Sequence, residues 1–204
     1  MDPFGRQSRN AKRTMGKKAA SLILPFLVSL FFVASPAHGG NKAFLSDIVV
    51  TNTRDDLLLY FTVNNCFTPQ MNTAIESGIN TAFTFYIKLY EKRTFLWDKV
   101  ITQSEVTHSI RFDQLKNVYE VRLSEDNDGM PRLVKSFAEA QKLMAEVAAL
   151  RLTSIQNLQK GGRYQVAMMA QLEKVKLPFY LHYVLFFVSL WDFETDWSTM
   201  DFRY

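Results

Sequence analysis

Residues 79–89 alternate: Ile79, Phe83, Phe85, Ile87 and Leu89 fall on one side of an extended chain, and Asn80, Thr84 and Lys88 on the other. Successive strand side chains point to opposite faces, so period two over this length predicts a sheet with one buried side. A chain committed to such a strand must supply partners for it, and the flanking sequence does. Residues 44–52 and 57–63, separated by Thr53-Arg54-Asp55-Asp56, read as a hairpin. Residues 95–107 and 109–111 predict further strands, and Asp113-Gln114-Leu115 turns the chain into residues 118–123. Residues 124–131 form a loop. Residues 150–155 are strand-like, and after a Lys160-Gly161-Gly162 turn Tyr164, Val166, Met168, Ala170 and Leu172 line one side of another strand, broken at Lys176-Leu177-Pro178. Residues 180–191 are apolar on both faces, which predicts a strand covered from both sides. They are too few for a helical membrane span, which needs about 20 residues.

Two helices interrupt this pattern. Thr68 is an N-cap, Pro69 occupies the first helical position and Gly78 terminates, marking a short helix. Ser136 and Glu139 form a capping box, followed by Phe137, Ala140, Leu143, Met144 and Val147 at helical spacing, which predicts a core-facing helix of about 13 residues. The expected fold is mainly β (β-rich α+β): an antiparallel sandwich-like domain with two short helices.

The N-terminus reads differently. Residues 19–34 are an apolar run behind a cationic segment and ahead of Ser35-Pro36-Ala37, the layout of a secretory signal peptide cut between Ala37 and His38. A start at Met15 gives the same leader in compact form. The expected organisation is therefore a signal peptide over residues 1–37 and a single β-rich domain over 38–204, periplasmic or in the cell envelope. The alternative is an uncleaved anchor in the inner membrane; after cleavage no stable membrane span is expected.

Charge supports this division. The whole chain has 24 Lys+Arg against 20 Asp+Glu, but Arg6, Arg9, Lys12, Arg13, Lys17 and Lys18 belong to the leader with only Asp2 opposing them, so residues 38–204 hold 18 bases and 19 acids. Nucleic-acid binding requires a cation excess and is excluded as an expectation. The single cysteine, Cys66, cannot form an internal disulfide and reads as a structural thiol.

Catalytic motifs are sparse. G-x-S-x-G, G-x-G-x-x-G and the P-loop are absent. His38, His108 and His182 form no ligand cluster; His182, among apolar residues, reads as a core histidine. His108, close to Asp113, is the one candidate general base, and it would matter only if it met carboxylates in a cleft. Asp126-Asn127-Asp128-Gly129 resembles a calcium loop, but the alignment puts Ser124 at the first ligand position and Lys135 where a bidentate carboxylate belongs, so an acidic turn is expected instead. No metal or cofactor is expected. In the tail, Trp191, Phe193 and Trp197 are a candidate interaction surface, because exposed Trp with an acidic rim can anchor a protein partner. The competing expectation is a last strand that buries Phe193 and Trp197.

The order of pieces adds a resemblance. The leader, Ala74-Ile75-Glu76-Ser77-Gly78-Ile79 running into the aromatic strand, Trp97-Asp98, Phe112-Asp113 with Leu115, and Tyr119-Glu120-Val121 come first. Phe137-Ala138-Glu139-Ala140, Gly162-Arg163-Tyr164, Leu177-Pro178 and the Trp191 to Trp197 spacing follow. Together, over nearly all of residues 43–198, they resemble an exported bacterial family of unknown function, domain of unknown function four-three-nine-zero. The resemblance implies an envelope protein, often encoded near sensor-kinase systems, with no established activity and no catalytic residue to carry over. The expected function is a periplasmic protein-binding or signalling-accessory module, its partner an envelope protein such as a membrane sensor kinase. The alternative is a carrier of an apolar ligand such as a lipid in a cavity between the sheets. A hydrolase is the third and least supported reading, so no enzyme activity is expected.

Overall fold

The computed structural model describes residues 42–126, 128–173 and 194–204. The leader with Ala37 and His38, the strand expected over 180–191 with His182, and Trp191 and Phe193 lie outside the described residues. The elements run β1 (Phe44–Asn52), β2 (Asp56–Asn64), α1 (Pro69–Glu76), β3 (Thr81–Glu91), β4 (Lys99–Asp113), β5 (Val118–Leu123) and β6 (Arg132–Val134). Then follow α2 (Phe137–Ala145), β7 (Glu146–Ser154), a 3-10 turn (Ile155–Asn157), β8 (Arg163–Leu172) and β9 (Ser198–Arg203).

The strands form two antiparallel sheets, β1-β2-β7 and β6-β5-β4-β3-β8-β9. The expected sandwich is therefore present with its two short helices. The alternating side of β3 is the inner face of the larger sheet, and register aligns its neighbours. Phe83 stands opposite His108 and Leu172, and Phe85 opposite Val106 and Ala170, so all six side chains share that face. Across the sandwich Phe61 of β2 meets Phe85 edge to face at 5.6 Å. Each fully buried phenylalanine here contributes roughly 1.5–3 kcal/mol relative to exposure.

The outer face of the larger sheet departs from the expected solvated side. Ala82, Thr84, Ala167 and Met169 are buried there, and Thr84 donates to Glu173 Oε1 at 2.6 Å. Lys88 stays partly exposed on the same face.

Both helix signals act as expected at their N-termini. Thr68 accepts from the Met71 amide and Ser136 from the Glu139 amide. After α1 the chain leaves through Gly78 at φ +83°, a left-handed closure in which the Gly78 amide bonds the Ile75 carbonyl and the Ile79 amide the Ala74 carbonyl.

Two expected boundaries are corrected. The first strand after β3 is one continuous element, β4, that starts at Lys99 and passes straight through His108, while residues 95–98 belong to an exposed loop. The second helix has nine residues, because Glu146 already has extended geometry and the chain enters β7 at once. The misreading has a physical cause. Ala149 adopts φ +55° in a bulge where Leu59 pairs with Leu150 and Phe61 with Val147. Buried Val147 stands three residues after Met144 and so continued the helical spacing, while the extra residue of the bulge broke the period of two that would have joined it to Leu150. A similar bulge at Asp47, φ +53°, interrupts β1 between Ser46 and Val49.

Candidate functional site

His108 sits mid-strand on the inner face of β4 and is wholly buried. Its ring lies edge-on to Phe85 at 4.8 Å, Nδ1 is 3.1 Å from the Met144 carbonyl, and Nε2 is 2.7 Å from Glu125 Oε1. A carbonyl only accepts, so Nδ1 carries a proton. One further proton then lies between Nε2 and Glu125, giving either an imidazolium with a carboxylate or an imidazole with a carboxylic acid. His108 thereby ties the last turn of α2 and the β5–β6 loop to the larger sheet.

The partner differs from the one the sequence suggested. Asp113 accepts from the Leu115 and Lys116 amides and from the Lys116 ammonium, which together hold its carboxyl below the usual range, the Lys116 amide contributing most. Glu125 was legible only through register: Leu123, the last residue of β5, stands opposite His108, and the turn that follows brings Glu125 back to the ring.

Glu125 also lines a cleft of ≈530 Å³. One wall is the β5–β6 loop with Asp126 and the first residue of β6, Arg132; the other is the β7 segment Glu146, Ala148, Ala149, Leu150 and Arg151, and Leu143 of α2 also lines the cleft. Arg132 donates to both oxygens of Asp126 at 2.9 and 2.7 Å, and this pairing raises the guanidinium above its ordinary value. Arg151 is held by Asp56 at 2.7 Å. The second oxygen of Glu125 is buried and has no hydrogen-bond partner. Asp126 is thus committed to Arg132, and Asp128 accepts from the Met130 amide. Among the described residues no group of three or more His, Cys, Asp or Glu is placed to hold a metal ion.

The arrangement suits binding better than proton transfer. Both nitrogens of His108 are engaged, the ring is closed off from the cleft, and the nearby Ser124 hydroxyl accepts from the Thr107 amide. What the cleft offers a ligand is a row of small side chains on β7 between fixed charges of both signs. The sequence signal for it was Ala148-Ala149 flanked by Glu146 and Arg151, hidden inside what read as helix.

Of the tail candidates, Trp197 is the one the structure describes. It precedes β9, is 45 % exposed, and carries Lys88 Nζ 5.1 Å from its ring centroid. With Tyr90, Asp98, Gln165 and Ala167 it borders a hollow of ≈340 Å³ on the outer face. The expectation of a last strand burying this tryptophan is therefore not met at Trp197, although β9 does pair with β8. Cys66 is buried, and burial pushes its thiol up to about 12. No helix of the described residues is long and apolar enough to cross a membrane.

Comparison with known proteins yields one match. A family model described as "Domain of unknown function (DUF4390)" matches residues 41–201. No curated protein and no solved structure matches the chain.

Proposed function

The chain belongs to this family, and from that premise we propose that it is an exported binding module of the cell envelope, working in the periplasm on a protein partner such as the sensing part of a membrane kinase. The observation that carries the reading is the edge of β7 beside the charged cleft, which has no strand partner among the described residues. Among the described residues β7 pairs only with β2. An extended segment of a partner can add to such an edge through main-chain hydrogen bonds, with neighbouring pockets selecting its side chains. Ala148 and Ala149 keep the approach open, while Arg132 and Glu146 offer charges of opposite sign.

Export rests on the leader, whose cut after Ala37 would leave His38 as the first residue; an uncleaved leader would tether the same domain to the inner membrane. The carrier reading has less support, since Phe61, Phe85 and His108 occupy the space between the sheets in mutual contact. Hydrolysis has less still, because His108 has no free nitrogen to accept a proton.

A photo-reactive residue at position 148, introduced in the full chain in its own cell, tests the site. Adduct formation with a specific envelope protein is expected at 148 and not at the fully exposed Leu115. Equal labelling at both positions would overturn the cleft as the site. Mass spectrometry of the recovered protein tests export, and a cytosolic species that retains Met1 or Met15 would remove it.

A further inference from the structure

We propose that the loop joining β3 to β4 is a membrane foot, which seats Phe95, Leu96 and Trp97 in the interface of an anionic phospholipid bilayer. The sandwich has no use for these side chains internally. Phe95 is 96 %, Leu96 68 % and Trp97 93 % exposed, at the end of a hairpin whose last strand pair is Glu91 with Lys99. Scattered apolar exposure is ordinary, but three consecutive large apolar residues at one tip are not.

The tip is held out rather than left loose. Lys92 Nζ meets Asp98 Oδ2 at 2.6 Å, the Arg93 amide bonds Asp98 Oδ1, the Lys92 amide bonds the Arg163 carbonyl, and Arg163 donates to Thr94 Oγ1 at 3.0 Å. These bonds brace the loop from both ends and tie it to β8, leaving the three apolar side chains no route back to the core.

Charge chooses the occupant. Lys92, Arg93, Lys99, Arg163 and Arg203 lie at this end of the sheet, where Arg163 and Arg203 are register partners; Lys92 pairs with Asp98 and Arg93 with Glu91, which leaves Lys99, Arg163 and Arg203 as the cationic excess. A near-neutral domain thus gathers a cationic collar behind an apolar point. Each cation near an anionic surface contributes about 1 kcal/mol, and Trp favours the headgroup level of the interface. A protein partner would have to offer a matching pocket for three consecutive exposed apolar side chains. A bilayer needs no such shape match. The contact would be peripheral, and it is independent of the β7 cleft reading.

The test uses the full chain and Trp97 as a local reporter, so that leader binding does not confound it. Emission of the wild type minus that of Trp97→Phe isolates this residue. With vesicles of three parts phosphatidylethanolamine to one part phosphatidylglycerol, Trp97 should shift to the blue and be quenched by lipid-borne nitroxides. The shift should vanish in Phe95→Ser/Leu96→Ser. Arg93→Glu/Lys99→Glu should weaken it about tenfold or more, and about 0.5 M salt should weaken it likewise. All substituted side chains are exposed or lie at the loop, and an unchanged Tm verifies folding of each variant. A Trp97 that remains quenchable by aqueous iodide on vesicle-bound protein overturns the proposal. So does a blue shift that appears without vesicles and grows with protein concentration, which would assign the tip to a protein contact.

Discussion

His108 and Glu125 share a 2.7 Å hydrogen bond inside the rim of the cleft, and the opposite nitrogen of the same ring holds the Met144 carbonyl at the end of α2. One side chain therefore ties the loop wall of the cleft and the end of α2, which leads into β7, to β4. His108→Ala leaves the Met144 carbonyl and Glu125 Oε1 without their ring partner, and each buried polar group left unsatisfied costs about 1–3 kcal/mol. The expected result is a large fall in the urea midpoint. The double variant His108→Ala/Glu125→Ala should be less destabilised than the sum of the singles. Strict additivity would show that the bond is not made in solution.

Ala149 carries backbone strain within the cleft. A left-handed residue other than glycine costs about 1 kcal/mol, so Ala149→Gly is expected to stabilise by up to that amount, reduced by the extra freedom glycine gives the unfolded chain. Ala148→Gly, one residue earlier and without positive φ, should destabilise. Thermal unfolding of the two variants decides it, and a destabilised Ala149→Gly would mean that the bulge is not populated as described.

Cys66 should make stability depend on alkaline pH. Its thiol has an ordinary value of 9.0 and is raised to about 12 by burial, so the folded form keeps its proton where the unfolded form loses it. The stabilisation is complete below pH 9 and is lost as pH rises toward 12. The difference in unfolding free energy between wild type and Cys66→Ala should be constant below pH 9 and should shift against the wild type above it. In the native state the thiol should also resist alkylation at pH 8, reacting only on unfolding. Rapid modification of the folded protein would refute both statements.

Much of the fold was legible because burial on one face of a strand writes a period of two into the sequence. Phe83, Phe85, Ile87 and Leu89 announced the inner face of β3, and Tyr164 to Leu172 announced β8. The caps at Thr68 and Ser136 were legible for the same local reason, since each satisfies amides only a few residues away. Where the reading failed, a local signal was overwritten. The bulge at Ala149 broke the period of two at the start of β7, and Phe95-Leu96-Trp97 looked like strand because aromatic residues favour strands, although nothing among the described residues covers them. The site was the least legible part. His108, Glu125 and Met144 meet through pairing register and helix placement, and sequence distance alone pointed His108 at Asp113.

The order of the strands has a kinetic consequence. Asp56 pairs with Ser154 and Phe83 with Leu172, so both sheets close through partners roughly ninety to a hundred residues apart. Such closures carry a large loop-entropy cost before any contact rewards them, and topologies of this kind fold on the millisecond to second scale. A newly made chain would remain unpaired for that interval, with its apolar strand faces and their main-chain groups open to other chains.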